Sequence, residues 1–255
     1  ISRVKKGKIL RQFESVMLTH SGMVRKNNED AIGMIPGKNV FVLSDGMGGH
    51  NAGEIASRYI VDTVIEEIEK SEIPGNEEEW FSLFIQSVNQ ANSKVFEHAA
   101  SHPDTKGMGG TVCILYLNDN RYFLAWAGDS RIYLIGDKKM QLLTEDHSYV
   151  WQLYKSGSIS QKEMAAHPMK NVIFRAVGYT DSIETDCKSG RYQEGDIFLL
   201  CSDGLNNELQ DREIQNIILK SKGVQEAAEK LVVSANENGG ADNISVILVK
   251  TGAAS

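Results

Sequence analysis

Four aspartates in this chain occur in one kind of setting. Asp45 lies in residues 40–50, VFVLSDGMGGH, where four apolar residues run into Ser-Asp-Gly. Asp203 follows residues 197–202, IFLLCS, and again precedes glycine. Asp242 lies in GGADNISVILV and Asp129 in YFLAWAGDSRIYLI, each beside a glycine-bearing turn and an apolar run. A carboxylate at a strand tip, next to a bare backbone carbonyl such as that of Gly46, suits a hard cation that takes oxygen ligands. Glycine there lets the backbone approach a bound group. For any one of these aspartates, a polar turn is the plainer account. Four together point to one oxygen-rich metal cluster at one end of a sheet assembly.

No histidine or cysteine cluster accompanies them, which favours Mg2+ or Mn2+ over zinc. Two such ions, roughly 3.5–4 Å apart, could share Asp45 and activate a water for in-line attack on phosphorus. Arg25 is suited to hold phosphoryl oxygens in a forked contact. Its alternative is a surface salt bridge to Glu29 or Asp30. His50, after the glycines, is a candidate proton donor to a leaving alkoxide, or a polar cap on the helix that follows.

These residues need elements to position them. Residues 40–43 read as a short strand buried on both faces, and residues 13–19 as a first strand. Residues 20–30 form a polar stretch holding Arg25, Glu29 and Asp30. A helix is expected over 54–70, with Ile60, Val64 and Ile68 at four-residue intervals. A second starts at Asn76, with Glu79 three residues on. Four short apolar runs between residues 112 and 143, joined by brief polar connectors, predict an antiparallel meander. Residues 144–178 lack a long apolar run and read as an irregular insertion or as a surface excursion without a role. Ser160 and Glu163 mark a short helix within it. A strand at 197–202, a helix capped by Asp211, a helix over 224–236 and a strand at 244–249 complete the reading. One domain is expected over residues 1–255, rich in antiparallel strands with helix pairs outside.

Composition narrows the class. The chain has 255 residues, 41% hydrophobic and 24% charged, as suits a globular protein with a sizeable core. Its net charge of -7 does not invite nucleic acid, and the basic residues at positions 3–11 read as a short N-terminal lead. Cys113, Cys187 and Cys201 have neither metal-ligand nor redox spacing and suit a reducing, cytoplasmic setting. No apolar run approaches the ~20 residues that span a bilayer, so no membrane segment is expected in this chain.

Seven strings carry the signal in order: RKNNEDA at 25–31, DGMGGH at 45–50, GGT at 109–111, GDSRIY at 128–133, LTEDHS at 143–148, CSDGL at 201–205 and GGADN at 239–243. The ordered set, covering about residues 15–250, resembles the metal-dependent Ser/Thr protein phosphatase family, the PPM or 2C-type class, in its compact bacterial form. The resemblance implies an α+β fold, a four-layer αββα sandwich of two antiparallel sheets flanked by helix pairs. It implies that Asp45, Asp203 and Asp242 hold one ion. Asp45 and the Gly46 carbonyl hold a second, with Glu29 and Asp30 acting largely through water. Asp129 with Asp203 matches a third, weaker site. Arg25 matches the phosphate-binding arginine, His50 the histidine of the glycine motif, and residues 148–178 a flap that influences substrate choice. Asp146 and His147 are left as structural. Asn206-Asn207-Glu208 departs from the family pattern without removing a ligand.

The resemblance therefore implies Mn2+- or Mg2+-dependent hydrolysis of phosphoserine and phosphothreonine on proteins, in signal transduction and in opposition to a Ser/Thr kinase. A monomer is expected. Two rivals stand beside it: a docking module that keeps the fold without turnover, and a different two-metal hydrolase such as a nuclease.

Overall fold

Alternating burial along apolar strands fixes the layers. The structure is a computed structural model that describes residues 11–49, 52–137 and 139–254. The expected basic lead before residue 11, and His50, lie outside the described residues.

The chain opens with β1 (Arg11–His20), β2 (Asp30–Ile35) and β3 (Val40–Met47), then two long helices, α1 (Ala52–Lys70) and α2 (Glu77–Ser101). There follow β4 (Gly109–Gly110), β5 (Val112–Asn118), β6 (Arg121–Ala127), β7 (Arg131–Gly136) and β8 (Lys139–Leu142). Short helices α3 (Tyr149–Lys155) and α4 (Gln161–Ala166) precede β9 (Asp186–Arg191) and β10 (Ile197–Cys201). Then come α5 (Asp203–Asn206), α6 (Asp211–Lys220), α7 (Val224–Glu237) and β11 (Ile244–Ala254).

One sheet has the order β1-β11-β10-β7-β8, and the other β2-β3-β5-β6-β9 with β4 paired to β3. The pairings are antiparallel. On β3, Phe41 and Leu43 point into the layer shared by the two sheets, while Val40 and Val42 pack beneath α1 and α2. On β10, Phe198 and Leu200 enter the shared layer, and Leu199 and Cys201 pack with residues of α6 and α7. This two-residue period on strands covered on both faces generates the four layers, helix, sheet, sheet and helix. The expected αββα sandwich is the observed fold.

Local chemistry starts the helices. Asn76 accepts from the Glu79 backbone at 3.0 Å to cap α2. Ser160 and Glu163 form a reciprocal capping box on α4. The cap of α6 is Gln210 rather than the expected Asp211, because Glu213 closes a capping box with Gln210. Inside α2, Trp80 stacks on Tyr116 of β5 with centroids 3.8 Å apart, and Phe84 is fully buried.

The four runs between residues 112 and 143 are not one meander. β5–β6 form a hairpin in one sheet and β7–β8 a hairpin in the other. Gly128-Asp129-Ser130 carries the chain across. Gly128 has φ of 110°, and an added Cβ would stand 2.6 Å from Thr111 Cγ2. Only glycine turns the chain so tightly there. β2 and β9 are further strands that hydrophobic pattern does not announce: DAIGMI is short and interrupted by glycine, and DCKSGR is a polar edge strand.

Between β8 and β9 the chain forms the expected insertion. Isolated bridges Ser148↔Ile173 and Gly110↔Val177 close it at both ends. Asn92 of α2 accepts from Gly178 N at 2.7 Å and donates to Thr180 O at 3.0 Å, pinning its exit. Among the described residues, no helix is long and apolar enough to cross a membrane.

Candidate functional site

The carboxylates gather where the two sheets meet. The β2–β3 register places Asp30 opposite Asp45. Asp45 is tied down through its backbone: its N–H donates to Thr111 Oγ1 at 2.9 Å, and its carbonyl accepts from Thr111 N at 2.8 Å. The Thr111 hydroxyl in turn lies 2.7 Å from Ser130 Oγ, in the loop that carries Asp129. Asp203 begins α5 directly after β10, and its Oδ2 accepts from Asn207 Nδ2 at 2.9 Å. Asp242 precedes β11, and its Oδ1 accepts from Asn243 N at 2.8 Å. Two carboxylates thus come from each sheet, with Asp129 on the crossing between them.

Gly46 is required by space. A Cβ there would stand 2.0 Å from the Gly53 carbonyl oxygen and 2.5 Å from that of Glu29. The Glu29 carboxyl rests against Gly53 in the first turn of α1. Backbone and carboxyl oxygens are therefore packed together at one strand-to-helix junction.

Several positioning residues stand inside the motifs without being singled out by sequence reading. Asn243 accepts from Glu29 N at 2.7 Å and donates to Ser21 O at 3.0 Å and Asn27 O at 2.8 Å. It clamps the loop bearing Arg25 onto the strand bearing Asp242. Ser202 donates to Asp30 Oδ2 at 2.8 Å while accepting from Ser245 N at 3.0 Å. Asn207, part of the departure from the family pattern, steadies Asp203. The available signal was adjacency: each polar residue sits within one to four positions of a candidate carboxylate.

Electrostatics makes this a destabilised cluster. Burial pushes Asp45 well above the usual carboxylate range, and Asp30, Asp203, Asp129 and Asp242 push it further. Asp129 is also raised, by burial and then by Asp203 and Asp146, with Arg131 opposing. Burial raises Asp30 to about 7 against the opposing hydroxyls of Ser245 and Ser202. Asp203 rises to about 6 through burial and Asp242, restrained by Asn207. Glu29 is raised by burial, with Arg25 opposing.

This donor set fits divalent cations. It is all oxygen, and Asp30 Oδ1 is buried with no hydrogen-bond partner. Among the described residues, no three His, Cys, Asp or Glu side chains are gathered as a closed metal-ligand group. Asp242 is engaged elsewhere: its Oδ2 accepts from Arg25 Nη2 at 2.7 Å. Arg25 pairs with neither Glu29 nor Asp30 among the described contacts. It is half exposed and stands at the edge of the cluster.

Asp146 and His147 support the site from behind. Arg131 donates to Asp146 in a fork, Nε to Oδ1 at 2.9 Å and Nη2 to Oδ2 at 2.7 Å. His147 Nδ1 accepts from Gly128 N at 3.1 Å, holding the turn beside Asp129.

The raised carboxyls make metal binding and pH one problem. Between the ordinary value of 3.8 and about 7, the folded chain retains a proton on Asp30 that the unfolded chain has released. Stability from this group therefore falls as pH rises through that window, and cations that neutralise the cluster recover it. The melting temperature should rise more on adding Mn2+ at pH 8 than at pH 5.5, and chelator should reverse the gain. Equal shifts at both pH values in calorimetry would contradict this coupling.

Comparisons with known proteins give the family and the fold. A family profile described as "Protein phosphatase 2C" matches residues 23–248. The protein phosphatase PhpP of Streptococcus pneumoniae is 38% identical over 248 residues, covering 93% of this chain and 97% of that protein. The solved serine/threonine phosphatase PstP/Ppp of Mycobacterium tuberculosis superposes with a TM-score of 0.87 at 32% identity, covering 96% of this chain and 100% of the other. A solved catalytic domain of the phosphatase PstP, in complex with 2 manganese ions, gives a TM-score of 0.84 at 30% identity, covering 94% and 99%.

Proposed function

The chain belongs to the protein phosphatase 2C family, and on that footing we propose that it hydrolyses phosphoserine and phosphothreonine on proteins with Mn2+ or Mg2+. The observation that carries this reading is that Asp30, Asp129, Asp203 and Asp242 all act on the buried carboxyl of Asp45, with Arg25 at the edge of the cluster.

Asp45, Asp203 and Asp242 would hold the first ion. Asp45 and the Gly46 carbonyl would hold the second, with Glu29 and Asp30 acting through water. Asp129 and Asp203 would supply a third, weaker position. When bound, the ions supply Lewis-acid polarisation of the phosphoryl group and an activated water. Arg25 exchanges its contact with Asp242 for the phosphoryl oxygens and orients the group for in-line displacement. His50 gives a proton to the departing serine or threonine oxygen. Asn243 keeps Arg25, Glu29 and Asp242 in register through its three hydrogen bonds.

The substrates are, by their chemistry, products of a protein Ser/Thr kinase, so the enzyme opposes one in signalling. Three free cysteines, two of them buried, support a reducing, cytoplasmic setting. The family match over residues 23–248 spans every site residue named, which supports one catalytic domain, and action as a monomer is part of the same proposal.

Hydrolysis of an aryl phosphate and of a phosphothreonine peptide should rise with Mn2+ and vanish with chelator. Arg25→Ala should lower kcat/KM on the peptide by roughly 10–100-fold, as loss of a forked anion contact implies. No turnover in either assay, with metal bound, would sink the reading in favour of a docking module.

A further inference from the structure

The insertion between β8 and β9 bounds a cavity of about 630 Å³ whose wall includes Asp129 and Asp203 of the carboxylate cluster. That size falls in the ~300–1,000 Å³ range of ligand pockets. Its other walls come from α4, from Lys170, and from the turn joining α5 to α6.

The charges lining the cavity balance in number, four carboxylates against four cations, but not in position. Arg131 and Asp146 line the cavity but neutralise each other through their fork. Lys162, Lys170 and Arg212 also line it, and among the described residues none of the three has an ion-pair partner. Against them stand Asp211, whose Oδ1 accepts from the Tyr133 hydroxyl, and, at the other end of the cavity, Asp129 and Asp203, the two carboxylates that bound cations would neutralise. Lys170 acts electrostatically on Asp203, so the positive wall begins at the edge of the cluster itself. Away from the carboxylate cluster the lining is therefore positive, with Lys162, Lys170 and Arg212 facing Asp211, whereas the chain as a whole carries a net charge of -7.

An extended peptide advances about 3.3–3.6 Å per residue. A phosphoresidue held at the cluster therefore has near neighbours within reach of this cavity, which shares Asp129 and Asp203 with the cluster. We propose that the cavity selects phosphoproteins carrying acidic side chains within a few residues of the phosphorylated serine or threonine, received by Lys162, Lys170 and Arg212. The proposal rests on the phosphatase reading above and adds the substrate class to it. Acidic flanks approach three cations that have no ion-pair partner among the described residues, whereas basic flanks meet like charge.

The test compares two phosphothreonine peptides that differ only in flanking residues, Glu in one and Gln in the other. The unmodified protein should prefer the Glu peptide by about three- to ten-fold in kcat/KM, the range expected of a few exposed charge pairs. That preference should shrink at about 0.5 M salt, where such pairs are screened. The combined variant Lys162→Gln, Lys170→Gln and Arg212→Gln should bring the ratio near one, and the double variant Lys162→Glu and Lys170→Glu should invert it. A ratio near one in the unmodified protein, with aryl phosphate still hydrolysed, overturns the cavity proposal alone. Failure of both peptides and aryl phosphate overturns the phosphatase reading beneath it. A preference that persists at high salt, or in the folded triple variant, removes these three side chains from the role.

Discussion

Asp45→Asn is expected to lower kcat/KM by about a thousand-fold or more, equivalent to roughly 4 kcal/mol of lost transition-state stabilisation. Asp45 is the carboxylate on which Asp30, Asp203, Asp129 and Asp242 all act, and in the proposed arrangement both principal ions depend on it. Its backbone contacts with Thr111 do not involve the carboxyl, so the strand should keep its place. Removing a repelling charge should moreover raise the melting temperature of the metal-free protein, because active sites trade stability for function. Activity and stability are thus expected to move in opposite directions. Turnover within tenfold of the unmodified protein, or a metal-free melting temperature that falls sharply, would contradict the role given to this residue.

Asp146→Ala should have the largest effect on stability, a loss of about 3–5 kcal/mol, because it leaves the Arg131 guanidinium buried without its counter-charge. The two side chains are 12% and 8% exposed, so solvent offers little screening. For a chain of this size the melting temperature should fall by roughly 6–20 °C. Arg131 keeps a 3.1 Å bond to the Tyr133 hydroxyl, which cannot replace a carboxylate. The combined change Arg131→Met and Asp146→Leu should recover much of the loss, since apolar residues tolerate that burial. If Asp146→Ala alone melts within about 2 °C of the unmodified protein, the pair is not the support described.

The four layers were legible because residues 40–43, 197–201 and 246–249 are apolar at every position, which demands cover on both faces. The site was legible because its aspartates stand at the ends of those same runs. Pattern says that a strand exists and that it is buried. It does not say which sheet receives it, so the hairpins β5–β6 and β7–β8 read as one meander when Gly128 separates them. β9 escaped notice because an edge strand needs no apolar alternation. Asn243, Ser202 and Thr111 escaped as positioning residues because hydrogen bonds between segments 19 to 222 residues apart leave no periodic trace. Arg25 was legible as a charge for the site, but its contact with Asp242 depends on a loop geometry that spacing does not encode.

The seam between the sheets also bears on how the protein comes into being. β1 pairs with β11, and Asp30 and Asp45 await Asp203 and Asp242. Contacts between such distant parts of a chain close slowly and late. A nascent polypeptide emerging from the ribosome therefore has no assembled site until synthesis has passed Asp242 and the first strand has found its last neighbour. In the proposed arrangement, translation products that end before Asp242 lack a metal ligand and are expected to be catalytically silent, which would spare the cell phosphate removal by half-made copies.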